Sequence, residues 1–193
     1  MNTEFKKAIE VLKKGGIIIF PTDTAYGIGC RIDDERAVER LFKIRKRPKT
    51  QAAPVLVSSI EMAQKYLQPL SEEVKDLMKK YWPGGLTIVY PCQTKKLLPL
   101  VRGNRETLGV RMPNHKIPLF LVQNLRTPII GTSANFHGEK TPYKFEDLNK
   151  KLIKEVDFVI KGECLKGIVS TVIDCSKKPW KILRKGAVKL KLE

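Results

Sequence analysis

The chain has 193 residues, of which 42% are hydrophobic and 30% charged, with a formal net charge of +17. This length supports one substantial core and argues against two independent domains, while the apolar share argues against disorder. No apolar run approaches the roughly 20 residues of a bilayer span, and the N-terminus MNTEFKKAIEVLKKGG has no secretion-signal core. A single cytoplasmic domain over residues 1–193, without a membrane association, is expected.

In chain order, Phe5, Ala8, Ile9 and Leu12 recur at helical spacing, with Thr3 as the cap and Gly15-Gly16 as the stop. Ile17 to Phe20 is a continuous apolar run ending at Pro21, the pattern of a buried strand. Ala37, Leu41 and Ile44 mark a second helix that opens near Asp33-Asp34 and closes before Pro48. Pro54 to Val57 reads as another buried strand. Val74, Leu77, Met78 and Tyr81 predict a helix begun at Ser71, with acids in its first turn, that ends at Trp82-Pro83-Gly84-Gly85. Leu86 to Tyr90 and Thr107 to Arg111 read as strands, Pro118 to Leu125 as a helix, and Pro128 to Gly131 as a strand. A polar loop follows, then a Lys-rich amphipathic helix near Phe145 to Ile153. Val156 to Ile160, Ser170 to Asp174 and Lys181 to Arg184 read as short strands. Helices and buried strands alternate first and strands crowd the end, which predicts an α/β fold. The expected architecture is a single domain with a twisted, mostly buried mixed sheet flanked by helices.

Cys30, Cys92, Cys164 and Cys175 form no C-x-x-C pair, and the histidines are His115 and His137 alone. Buried, reduced thiols are expected, and no site for a metal held by protein side chains. A metal would arrive on a phosphate substrate, bound through oxygens. The basic charge fits a protein that handles polyanions such as nucleotides or RNA, and it equally fits a Lys-rich composition spread along the whole chain.

Hydroxyl, amide and Arg residues cluster at strand ends. Pro21-Thr22-Asp23-Thr24-Ala25-Tyr26-Gly27 follows the first strand, Gly131-Thr132-Ser133-Ala134-Asn135 follows another, and Gly167-Ile168-Val169-Ser170-Thr171 leads into a third. Ligands of open α/β sheets bind at such ends, although Ser, Thr, Asn and Gly also serve turns for local reasons. Arg111 ends an apolar strand, where its charge needs a partner. Either a substrate carboxylate or an internal acid would supply one. Arg45, Lys46 and Arg47 suit a polyphosphate or, equally, a solvated helix end. A phosphate loop of the G-x-x-x-x-G-K-[ST] type and a G-x-G-x-x-G fingerprint are both absent.

The strings PTDTAYG, RPKTQAAPVLV, WPGGLT, LGVRMP, TSAN, STVID and LRKGA stand in the order seen in YrdC-type threonylcarbamoyl-AMP synthases, from about Gly15 to Ala187. The chain resembles that family over nearly its whole length. The resemblance implies a YrdC-like fold with a basic concave cleft and the synthesis of threonylcarbamoyl-AMP and pyrophosphate from L-threonine, bicarbonate and ATP. It further implies delivery of the product to a tRNA threonylcarbamoyl-transferase machinery, with Mg2+ accompanying ATP. By the family pattern Thr24, Thr107, Arg111 and Ser170 would hold threonine, with Arg111 on its carboxylate. Arg45, Arg47, Gln51, Ser133, Asn135, Thr141 and Arg184 would contact ATP, and no residue is expected to act as a covalent nucleophile. The chain departs from the pattern at Arg45, where the family has Lys, and at Gln51, where it has Asn or Lys. The alternative is a non-catalytic RNA-binding module that uses the same basic cleft in ribosome or tRNA maturation. A carbamoyl-transfer domain of the hydrogenase-maturation type is a third reading.

Overall fold

In the computed structural model, which describes residues 3–191, helix α1 (Thr3–Lys13) buries Ala8, Ile9 and Leu12. Thr3 is its first residue rather than its cap. Strand β1 (Ile18–Phe20) follows and is buried along its length. Ile17 and Ile19 face one hydrophobic cluster while Ile18 and Phe20 face a second, so the run is apolar without alternation. Strand β2 (Gly27–Gly29) returns antiparallel to β1, with Ile18 opposite Gly29. Helix α2 (Glu35–Ile44) starts where the Asp34 carboxylate accepts the Ala37 N–H at 3.0 Å.

Strand β3 (Val55–Leu56) and the short helix α3 (Ile60–Gln64), capped by Ser59, lead to α4 (Glu72–Tyr81), capped by Ser71. Strands β4 (Leu86–Pro91) and β5 (Thr107–Arg111) pair antiparallel. Helix α5 (Lys116–Leu125) packs on α1. Burying Leu12 and Leu121 fully in that seam contributes about 1.5–3 kcal/mol each. Strand β6 (Ile129–Ile130) runs into β7 (Thr132–Ser133), a strand inside the segment expected to be a polar loop. The expected Lys-rich helix divides into a 3-10 turn at Phe145–Asp147 and α6 (Lys150–Glu155), because the Asn149 side chain caps Lys151 and starts a new helix there. Strands β8 (Phe158–Val159), β9 (Thr171–Asp174) and β10 (Lys181–Arg184) complete the order.

The pairing is mixed, as expected, but it is divided between two sheets. One has the order β7-β2-β1-β8 and the other β10-β9-β4-β5-β3-β6. The chain crosses from the larger to the smaller at Gly131, between β6 and β7. A Cβ at Gly131 would lie 2.3 Å from Leu56 Cγ, so the crossing needs glycine. The division brings the ends of β1, β5, β7 and β9 together, and the cleft forms there. Among the described residues no helix is long and apolar enough to cross a membrane.

Candidate active site

Arg111 is the last residue of β5 and is 6% exposed. Its Nε donates to Gly84 O at 2.9 Å, Nη1 to Thr24 Oγ1 at 2.7 Å and Nη2 to Asp23 Oδ1 at 2.5 Å. An internal acid therefore partners this charge. Burial in the β5 end lowers the Arg111 guanidinium from its ordinary range, opposed by the adjacent Asp23 carboxylate. A guanidinium carries five N–H donors, and these bonds use one on each nitrogen. One N–H on each terminal nitrogen remains for a ligand, the pair that a two-pronged carboxylate grip requires.

Thr24 and Arg111 line a cleft of about 240 Å³ together with Ser170, Arg184 and Thr87 at one end. Arg47, Gln51, Ser133 and Thr141 line its other end. Arg184 lies on the open rim, where Nε donates to Ser170 O at 2.9 Å and Nη2 to Ser170 Oγ at 2.8 Å. Arg47 folds back onto its own loop, donating to the carbonyls of Gln51 and Ala52, and burial pushes it down to about 10. It remains cationic at neutral pH. The lining thus contains Arg47, Arg111 and Arg184 and no carboxylate. Asp23 stands behind Arg111, fully buried.

Three expected contacts lie elsewhere. Thr107 begins β5 and pairs with Pro91, so it stands at the strand end opposite Arg111, roughly 13 Å away, and lines no part of the cleft. The string from Thr107 to Arg111 is one extended strand, which necessarily separates its ends. Arg45 is 2% exposed and sits behind the cleft. Its donors reach Asn135 O, Thr132 Oγ1 and Asn135 Oδ1 at 2.9, 2.8 and 3.0 Å. Burial pushes this guanidinium down to about 9, and among the described residues no carboxylate forms an ion pair with it. Asn135 is occupied in turn. Its Oδ1 also accepts Ser133 Oγ at 2.7 Å, and its Nδ2 donates to Glu139 O at 2.6 Å. Arg45 and Asn135 form the frame that carries Ser133.

Thr22, Asp23, Tyr26 and Thr87 were not assigned a role from the sequence. Thr22 Oγ1 accepts the N–H groups of Thr24 and Ala25 and shapes the loop after β1. The Tyr26 hydroxyl donates to Gly162 O at 2.5 Å and accepts Gly162 N, pinning the segment that leads to Ser170. Thr87 offered one signal, a hydroxyl inside the otherwise aliphatic start of β4.

The family model described as "Telomere recombination", covering Sua5, YciO and YrdC, matches residues 10–186. The chain belongs to the Sua5/YciO/YrdC family. A threonylcarbamoyl-AMP synthase of Bacillus subtilis is 31% identical over 188 residues, which are 97% of this chain and 54% of that protein. The crystal structure of P. abyssi Sua5 complexed with L-threonine superposes with a TM-score of 0.90 at 32% identity, covering 94% of this chain and 54% of that one. E. coli YciO superposes with a TM-score of 0.87 at 30% identity, covering 97% of this chain and 91% of that one. The chain thus spans about half the length of the B. subtilis synthase and of P. abyssi Sua5, and nearly all of YciO.

Proposed function

We propose that this chain is an L-threonylcarbamoyladenylate synthase, a nucleotidyltransferase that serves threonylcarbamoyladenosine modification of tRNA. The observation that carries the reading is the placement of Arg111, with a free N–H on each terminal nitrogen, in a cleft shared with Arg47, Arg184 and several hydroxyls. Similarity to synthases, and to a Sua5 that binds L-threonine, supports it.

In this reaction Arg111 grips the threonine carboxylate, with Thr24 and Ser170 beside it. The amine of threonine combines with bicarbonate to give a carbamate and water. A carbamate oxygen then attacks the α-phosphorus of ATP, and pyrophosphate leaves. No covalent nucleophile is needed. Holding the labile carbamate against the phosphate contributes about 7–11 kcal/mol at best. Arg47 and Arg184 meet the charge that develops on the departing phosphates, with Ser133 and Thr141 positioned beside them. Mg2+ enters as the MgATP substrate. The cleft lining offers it no carboxylate, and among the described residues no cluster of His, Cys, Asp and Glu could hold a metal. Mg2+ on the phosphate oxygens would offset their charge as pyrophosphate leaves. The product passes to the transferase that modifies tRNA.

The test is pyrophosphate release in the presence of L-threonine, bicarbonate and MgATP. Release should require both threonine and bicarbonate. Tight RNA binding with no turnover under these conditions would replace the reading with that of a binding module.

A further inference from the structure

The Arg111 end of the cleft contains a hydroxyl pair that the reaction above does not use in full. Thr87 Oγ1 and Ser170 Oγ lie 3.0 Å apart, and the two residues are 3% and 5% exposed. Register explains the meeting. Ile88 pairs with Val110, so one step further Thr87 stands opposite Arg111 with its side chain on the same face. Leu86 pairs with Thr171, which brings Ser170 alongside. The Thr87 methyl is turned toward β5, because a Cβ at Gly109 would meet Thr87 Cγ2 at 3.6 Å. Its hydroxyl is thereby directed at Ser170 and the cleft.

Proton counting shows what this pair offers a ligand. In the Thr87–Ser170 pair, Ser170 Oγ accepts from Arg184, and one hydroxyl proton joins the two oxygens. The second hydroxyl proton finds no acceptor among the hydrogen bonds of the described residues. A buried O–H left unpaired is expensive, and the cleft is where it finds a partner.

We propose that Thr87 is a specificity-determining residue, which with Ser170 reads a hydroxyl on the substrate's side chain and so selects a β-hydroxy amino acid over its aliphatic isostere. A substrate hydroxyl accepts the free proton and returns its own to a lone pair of the same couple. A methyl group in that place leaves the proton stranded. The inference rests on the amino-acid reading of this cleft and deepens it.

The experiment compares L-threonine with its isostere L-valine, by calorimetry and by steady-state kinetics, on the wild type, Thr87→Val and Thr87→Ser. The wild type should prefer threonine by roughly 10- to 100-fold. Thr87→Val should shrink that preference to a few-fold and raise the threonine KM while the ATP KM stays in place, a split that a merely structural role would not produce. Thr87→Ser should restore the preference. If Thr87→Val discriminates threonine from valine as the wild type does, the inference is wrong and the synthase reading stands. If the wild type binds no L-threonine at all, both fall.

Discussion

Arg111 donates to Asp23 Oδ1 at 2.5 Å, and the aspartate is fully buried with its second oxygen unpartnered. The proposed grip on a substrate carboxylate is thus built on an arginine that already holds a carboxylate. Asp23 fixes the guanidinium in plane and leaves its outer N–H groups to the cleft. Removing Arg111 alone would leave a buried, uncompensated acid, which destabilises by about 3–5 kcal/mol. Arg111→Ala is therefore expected to lose activity and also a large share of its stability. The neutral double variant Asp23→Asn/Arg111→Met should regain most of the stability and none of the threonine-dependent pyrophosphate release. Urea midpoints and the pyrophosphate assay measure the two separately. Activity in the double variant would remove Arg111 from the site.

Arg45 makes a second test, because it acts without entering the cleft. Its planar fork satisfies the backbone and side-chain oxygens of Asn135 together with Thr132, a geometry that a lysine cannot reproduce. Arg45→Lys should lower stability by about 2–3 kcal/mol, the scale of a lost charge-assisted hydrogen bond. It should also loosen Ser133 and raise the ATP KM several-fold. The threonine KM should stay within a factor of about two. An equal rise in both constants would mean that the Thr132–Asn135 segment does not act on the nucleotide end alone.

Elements with a local signature were legible in the sequence. Asp34 and Ser71 announce α2 and α4 because a cap is a side chain three residues from the N–H it serves. Thr107–Arg111 and Lys181–Arg184 read as strands and are strands. What stayed hidden was pairing. Gly27–Gly29 carries no alternation, and its strand identity comes wholly from β1 and β7. The site shows the same limit. Strand-end hydroxyls and Arg111 were visible as residue types in the right loops. That Thr107 stands a strand's length from Arg111 follows from the strand the sequence already predicts. That Arg45 turns inward to Asn135 depends on where a side chain finds acceptors, which a spacing in sequence does not contain.

Gly29 of the smaller sheet packs directly on the backbone of Ile130 in the larger. A Cβ there would lie 1.7 Å from Ile130 O, the carbonyl of a residue whose N–H donates to Cys30 O at 2.9 Å. The nearest atoms are all backbone, so the contact cannot be relieved by a rotamer change. Gly29→Ala should therefore destabilise by about 3 kcal/mol, the upper range for overpacking. Thermal unfolding of the purified variant checks it. A melting temperature equal to the wild type's would show that the sheets can slide apart at this point.

His115 gives the molecule a pH dependence whose sign follows from its contacts. It caps α5 through Nδ1, which accepts the Ile117 N–H at 3.2 Å, and its Nε2 lies 3.2 Å from Glu163 O. An Nδ1 acceptor with an Nε2–H donor is the neutral ring. Burial lowers its pKa from the ordinary 6.5, opposed by the hydrogen bond to the Glu163 carbonyl and by nearby Asp23, with Lys116 assisting. The unfolded chain then takes up the proton more readily than the folded one. This contribution to stability is fully present above pH 6.5, and it is lost as pH falls through that value and on through the lower folded value. His115→Asn keeps an oxygen that can cap Ile117 and removes the titration. Urea unfolding between about pH 7.5 and 5 should show a downward slope in the wild type that is shallower in His115→Asn. Parallel curves for the two proteins would mean that the folded His115 is protonated as easily as the unfolded one, and that the Ile117 N–H does not depend on its ring nitrogen.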